Sequence, residues 1–336
     1  VRNQVVDALI WQLDSANVRR SARRVRVALA LGQMRERTAI PFLVTVATKE
    51  VRINSRGWLT FDLTNVRMAA ALSLKRMMPS CEAQIKTADA RLGRLLDQWC
   101  QEDVTALREQ LLSGDVVASA IAAAALADLR TDEAFRVLAG AVGRKGLPAD
   151  TGWALTDALS LLDPARVTQE VIVPLIESST SHWYERLAYL IGRTRTQDAT
   201  ALAFLDRCLH ELKRVKTKAK AIQSVGWLQD RSKTRLLEYV AMGRFDDIEK
   251  ATRQEVRKDD DAEDLALKKG FSLGKVTTED QRFLRRKAIE ALAHIGDAHT
   301  LTQLREGRVE WDAELRRAFF WTSEEIYWRE QVRHRR

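Results

Sequence analysis

Apolar residues recur at helical spacing along most of the chain, in short segments separated by polar turns. The opening run, Val5-Val6-xx-Leu9-Ile10-xx-Leu13, already reads as the middle of a helix, and the first residue is Val1. A piece cut from a longer protein is therefore expected. Beyond it one pattern repeats. An arginine or other polar residue opens an Ala-rich helix that ends in a small–large–small triplet; a short polar turn and a second amphipathic helix follow. The pattern is clearest in Val27-Ala28-Leu29-Ala30-Leu31-Gly32, followed by Thr38-Ala39-Ile40-Pro41-Phe42-Leu43. It returns in Ala123-Ala124-Ala125-Leu126-Ala127, and again from Ala288 through Leu292 to Asp297, with Leu301 and Leu304 beyond.

The large residue of each triplet marks the register: Leu31, Leu72, Leu126, Leu159, Ile191, Val225 and Leu292. Successive intervals are 41, 54, 33, 32, 34 and 67 residues. Three consecutive spacings near 33, and one about twice as long, indicate a repeat array in which each helix pair buries its apolar face against its neighbours. The interval of 54 leaves room for one extra helix over 90–112. Small residues at the triplet allow two helices to approach closely.

These residues resemble the HEAT-repeat family, in its short bacterial form of one helix pair per repeat, over roughly residues 18–325. The resemblance implies an all-α fold, a right-handed α-solenoid of HEAT-like helix pairs. It divides the chain into repeats over 1–242, a segment 243–282, and a last repeat with a C-terminal cap helix over 283–336. The glycine expected after the triplet is replaced by Ala127, Ser160 and Ala293 in three repeats.

Two stretches break the pattern. Residues 50–66 read as an extended loop or short hairpin, with Trp58 beside Arg52 and Arg56 as a contact site or as a ring tucked against a helix. Residues 243–282 hold 11 acidic and 9 basic side chains in 40 positions, the signature of a solvated, mobile insertion. Near the C-terminus, 315–328 is the most aromatic part of the chain, with Phe319, Phe320, Trp321, Ile326, Tyr327 and Trp328. It reads as a cap helix, with a docking surface as the other reading.

Composition sharpens this picture. Hydrophobic residues make up 46% of 336 positions and charged residues 30%, with only 5 Pro and 15 Gly, so a helical, core-forming chain is expected. The net charge of +9 rests on 40 Arg and 15 Lys among the 55 basic residues. Cys81, Cys100 and Cys208 are odd in number and far apart, which fits no disulfide framework and points to a reducing, cytoplasmic setting. No apolar run approaches the length of a membrane span, and no signal peptide is visible.

Candidate chemistry is sparse. Gly270-Phe271-Ser272-Leu273-Gly274-Lys275 ends like a phosphate loop, but the spacing fails and Val276 stands where a hydroxyl residue is needed. The five histidines form no metal-binding pair, so neither metal nor cofactor is expected. One constellation does suggest catalysis. Trp153 and Asp157 share a helix face, Trp183 and Arg186 follow in the next repeat, and Trp227 in the one after. The stretches around Trp153 and Trp183 resemble those of HEAT-like bacterial alkylpurine DNA glycosylases. That resemblance implies that Trp153, Asp157, Arg186 and Trp227 line one groove, where rings and a carboxylate clasp a cationic base. The other reading makes these tryptophans ordinary core between repeats.

Three basic clusters bear on partners. Arg19, Arg20, Arg23, Arg24 and Arg26 form one; Lys216, Lys218 and Lys220 belong to a second with Lys213 and Arg214; Arg285 and Arg286 belong to a third with Arg282 and Lys287. Phosphate neutralisation along such a ridge gives salt-sensitive nucleic-acid binding, although arginines that open HEAT helices also serve the neighbouring repeat. The reading favoured by the sequence is a non-enzymatic scaffold whose concave surface binds a macromolecule, most often a protein. It is expected to be the sensor or interaction region of a larger prokaryotic protein. Nucleic-acid binding, glycosylase activity included, is the alternative.

Overall fold

The computed structural model describes residues 2–13, 21–48, 60–144, 146–178, 181–254, 256, 260–306 and 311–334. The protein is all-α. It divides into two compact units, Val1–Asp163 and Pro164–Arg336. Unit 1 contains α1 (Arg2–Leu13), α2 (Ser21–Gln33), α3 (Ile40–Thr48), α4 (Thr60–Ala88), α5 (Ala90–Cys100), α6 (Val104–Leu112), α7 (Val116–Leu129), α8 (Asp132–Ala141) and α9 (Ala149–Leu159). Unit 2 opens with α10 (Pro164–Val167), a π-helical turn over Thr168–Ile172, and α11 (Val173–Glu177). It continues with α12 (Tyr184–Thr194), α13 (Ala199–His210), α14 (Val215–Leu228), α15 (Thr234–Met242), α16 (Phe245–Thr252), α17 (Ala262–Lys268), α18 (Thr278–Ile295), α19 (Ala298–Glu306) and α20 (Ala313–His334).

The helices start where short polar side chains satisfy their first free amides. Asp89 accepts from the Leu92 amide at 2.8 Å, Asp103 from Ala106 at 2.9 Å, and Asp198 from Ala201 at 3.0 Å. At α18, Thr277 and Asp280 form a reciprocal capping box. Several helices end on a left-handed residue that is not glycine, at Arg130, Arg195 and Gln229. α4 is bent sharply at Cys81 (φ −139°, ψ 16°), two residues beyond Pro79, which has no amide hydrogen to continue the helical ladder.

Within each unit, successive inner helices pack in layers, α2 on α4 and α7 on α9 in unit 1, and α12, α14, α18 and α20 in turn in unit 2. The triplets place small residues at these crossings. A methyl group added to Gly32 or Gly192 would overlap Ser73 or Ser224 of the next inner helix. Those serines also join the layers: Ser73 Oγ donates to the Ala28 carbonyl at 2.8 Å, and Ser224 Oγ to the Ala188 carbonyl at 2.5 Å. Each acceptor lies four residues before its glycine. The tie recurs where the glycine is absent: Thr322 Oγ1 of α20 donates to Ile289 O of α18 at 2.8 Å, four residues before Ala293. In unit 1, α7 is the core helix, with every residue from Ala118 to Ala127 buried.

Three expectations need correction. The single helix expected over 90–112 is two, α5 and α6, because Glu102 adopts a left-handed conformation (φ 57°) and Asp103 caps a new start. Residues 60–66 of the expected extended loop are the first turns of α4; Arg52 and Trp58 lie outside the described residues. The charged stretch 243–282, read as a mobile insertion, contributes α16 and α17 and buries Ile248, Ala266, Leu267 and Phe271. Its apolar residues, thinly spread among charges, still have a surface to cover: α17 packs on α15 and α16. At the C-terminus, α20 buries Leu315, Phe319 and Ile326 while Phe320, Trp321, Tyr327 and Trp328 stay exposed.

Candidate interaction surface

Three inner helices of unit 2 present a continuous stripe of cations and rings. On α12 the stripe is Glu185, Tyr189 and Arg193; on α14 it is Lys216, Lys220, Gln223 and Trp227; on α18 it is Phe283, Lys287 and Glu290, with Arg286 alongside. Steps of three and four residues keep each set on one helix face. The rings bridge neighbouring helices. Tyr189 meets Trp227 edge-to-face with centroids 5.3 Å apart. Lys220 Nζ of α14 stands 5.0 Å from the Tyr189 ring of α12, and the Arg193 guanidinium of α12 stands 5.7 Å from the Trp227 ring of α14. On single helices, Arg186 lies 4.9 Å from the Trp183 ring, and Arg286 lies 5.5 Å from Phe283. Aromatic faces thus balance cations in this stripe, at about 0.5–1 kcal/mol per exposed pair.

Two carboxylates punctuate the stripe and behave oppositely. Burial pushes the Glu185 carboxyl up, against the pull of Lys220, Lys216 and Arg186. Burial would raise Glu290 as well, but Lys287 and Arg286 outweigh it and hold that carboxyl below its ordinary value. Lys287 Nζ donates to Glu290 at 2.7 Å, and Arg286 also pairs with Glu314 of α20. The outcome is a surface of net positive charge whose cations are held in place.

Residues singled out in the sequence are distributed unevenly. Lys216 and Lys220 lie on this stripe; Lys216 is exposed, whereas Lys220 is buried at 7% exposure. Lys218 does not join them. Two residues off the stripe, its side chain turns inward, is 0% exposed, and donates from Nζ to the Leu209 carbonyl at 2.5 Å, 4.4 Å from the Phe271 ring. Arg285 donates to the Ala241 carbonyl at 3.1 Å, a repeat-to-repeat contact, while Arg286 belongs to the stripe. In unit 1, Arg24 is buried and donates to the Leu13 carbonyl at 2.9 Å, and Arg26 is exposed. Arg19 and Arg20 lie outside the described residues, as does the side chain of Arg23. Trp153 and Asp157 are buried on α9 of unit 1, at 4% and 2% exposure, whereas Arg186 and Trp227 belong to unit 2. No single unit gathers all four. Sequence reasoning missed Tyr189, Arg193 and Glu185, whose i, i+4, i+8 spacing carried the signal.

Residues 284–307, which run from the first turns of α18 to just past α19, match the family model for the PBS lyase HEAT-like repeat. The chain carries a HEAT-like repeat. The matched helix pair includes Glu290 of the stripe and ends one layer before α20, so the HEAT-like repeat supplies one wall of the surface. No curated protein matches the chain. Among the described residues, no helix is long and apolar enough to cross a membrane, and no group of three or more His, Cys, Asp or Glu is arranged to hold a metal ion. This HEAT-like helix pair is the kind of unit from which helical repeat scaffolds are built.

Proposed function

We propose that the protein is a non-enzymatic HEAT-like scaffold that binds a macromolecular partner, a protein with an acidic surface, through the inner helices of unit 2. The observation that carries this reading is the stripe in which the exposed Arg193 stands against Trp227 and, beneath it, the buried Lys220 stands against Tyr189. Tyr, Trp and Arg are the residues in which interface binding energy concentrates. Cations already held against rings lose less freedom when an acidic partner arrives. The same chemistry suits a role as the interaction region of a larger cytoplasmic protein in a prokaryote.

Nucleic acid is the second reading, favoured by the excess of Lys216, Lys220, Arg193 and Arg286 over Glu185 and Glu290. Binding of labelled single- and double-stranded DNA and RNA at about 50 and 200 mM salt separates the two. Six to ten phosphate contacts would lose roughly 10³–10⁵ in affinity over that range. The scaffold reading expects feeble nucleic-acid binding at both salts, and tight, steeply salt-dependent binding overturns it. The non-enzymatic reading further expects no release of alkylated base from DNA, from the wild type or from Asp157→Asn. Release abolished by that substitution, with the fold intact, would install Asp157 as a catalytic residue.

A further inference from the structure

The helix α20 is apolar on two opposite sides. On one, Leu315, Phe319, Thr322 and Ile326 follow at steps of four, three and four and are buried, and α20 packs on α18 and α19. On the other, Arg317, Phe320, Trp321, Glu324, Tyr327 and Trp328 are all exposed, and steps of three and four keep them on one face. The four rings of this outer face remain 44–61% exposed. They meet edge to face in two pairs, Phe320 with Trp321 at 5.4 Å and Tyr327 with Trp328 at 6.0 Å. A helix at the surface of a fold needs one apolar stripe, and a second, contiguous one marks an interaction site. No residue of this face belongs to the cation stripe.

The charges of α20 divide by whether the fold uses them. Glu314 pairs with Arg286 of α18, and Arg316 Nε donates to the Trp311 carbonyl at 2.7 Å. Arg329 donates to the carbonyls of Ala293 and Gly296. Arg317 and Glu324, by contrast, make no hydrogen bond or ion pair among the described residues. They bracket the central rings evenly: Arg317 stands three residues before Phe320, and Glu324 three residues after Trp321. Reversing the helix about that centre exchanges Arg317 with Glu324 and Phe320 with Trp321, so the face is complementary to itself. The same reversal brings Trp328 onto Ala313, an exposed small residue over which a ring can lie.

We propose that the outer face of α20 is a self-association surface, on which α20 of a second copy of this chain packs antiparallel about a two-fold axis between Phe320 and Trp321. In such an isologous pairing every contact occurs twice. Arg317 of each copy meets Glu324 of the other, the four central rings form one cluster, and each Trp328 covers the other copy's Ala313. A fully covered ring buries about 150–250 Å², and about half of each is still open here, so the eight rings of two copies supply roughly 600–1,000 Å². Flanking side chains bring the total to the lower end of specific interfaces, about 1,200 Å². The charge pattern selects a second copy over an unrelated acidic or basic protein, for which a face of one sign would serve.

Sedimentation equilibrium of the full 336-residue chain from about 1 to 100 μM tests the proposal. The average mass should rise with concentration from that of one chain towards that of two. Phe320→Ala, which removes two rings from the centre of the interface, should weaken association at least tenfold. Arg317→Glu and Glu324→Arg should each weaken it at least tenfold, because each sets like charges opposite one another twice. Mixed in equal amounts, these two single variants should associate with each other about as tightly as wild type, and the double variant should regain self-association. All three side chains are exposed, so circular dichroism and melting curves should match wild type. A monomer at about 100 μM overturns the proposal, as does a dimer indifferent to Phe320→Ala, or single charge variants that fail to complement each other. A monomer that instead sediments with phosphatidylcholine vesicles assigns the rings to a lipid surface and overturns it equally.

Discussion

Lys218 is a lysine that the fold holds against its own chemistry. It is wholly buried on α14, and burial lowers its pKa from 10.5 to about 7. The unfolded chain therefore binds the proton more tightly than the folded one, and stability rises with pH between about 7 and the ordinary lysine value. Each tenfold of proton affinity is about 1.4 kcal/mol, so keeping Lys218 in the fold costs roughly 4 kcal/mol at pH 7 and about 2 kcal/mol at pH 9. Neither buried neighbour interferes much between pH 7 and about 9. His210 is lowered to about 4 by burial and adds its own rise in stability only between there and its ordinary 6.5. Burial raises the Cys208 thiol to about 12, which removes stability only above its ordinary 9. In Lys218→Met the stem is kept and the titrating group is gone, but the Leu209 carbonyl loses its donor, at about 1–3 kcal/mol. The variant should be more stable than wild type by about 1–3 kcal/mol at pH 7 and about equal at pH 9. Urea unfolding at the two pH values, followed by hydrogen exchange of the α14 amides so that unit 2 reports alone, measures both. Wild type should gain about 2 kcal/mol from pH 7 to pH 9 while the variant stays flat. A flat wild type, or a variant that keeps the gain, refutes the assignment to Lys218.

Three further outcomes are expected. Gly192→Val forces a branched side chain into Ser224 of the next layer and should cost about 1–3 kcal/mol by overpacking, read as a lowered melting temperature; an unchanged melting temperature removes the close approach as a determinant. Trp99 is 0% exposed and donates to Asp128 at 3.1 Å, so Trp99→Ala should cost about 3–5 kcal/mol in denaturant unfolding, and a loss below about 1 kcal/mol contradicts its place in the core. Arg193→Glu places a carboxylate beside Trp227 at the surface; it should weaken binding of an acidic partner at least tenfold in calorimetry while leaving the melting curve in place.

How far the sequence discloses this fold depends on what each element needs. α18 and α19 are legible because every signal is local: Thr277 and Asp280 at the cap, Ala-Leu-Ala at the triplet, Asp297 at the next start. The break between α5 and α6 is hidden because Glu102, an ordinary helix former, takes the left-handed turn that a glycine would advertise. Ser73, Ser224 and Thr322 look like any polar residue near a helix end, and their partners lie 45, 36 and 33 residues away. The site divides in the same manner. Lys216 and Lys220 were visible as charges, but a cluster in sequence does not say which side chains share a face. Lys218, midway between them, serves the interior.

The pairing of cations with rings on the inner helices has a consequence for acid conditions. A carboxylate that anchors a lysine releases it once protonated, and its salt bridge dissolves with falling pH. Tyr189 and Trp227 take up no proton in that range, so Lys220 and Arg193 keep their seats. Glu185, already displaced upward by burial, is the member of the stripe that neutralises before an ordinary carboxylate would. As the solution acidifies, this face therefore sheds negative charge at Glu185 while Lys220 and Arg193 stay seated against their rings. The ring-held part of the face thus keeps its geometry in acid, whereas the Lys287–Glu290 pair beside it loosens once Glu290 is protonated.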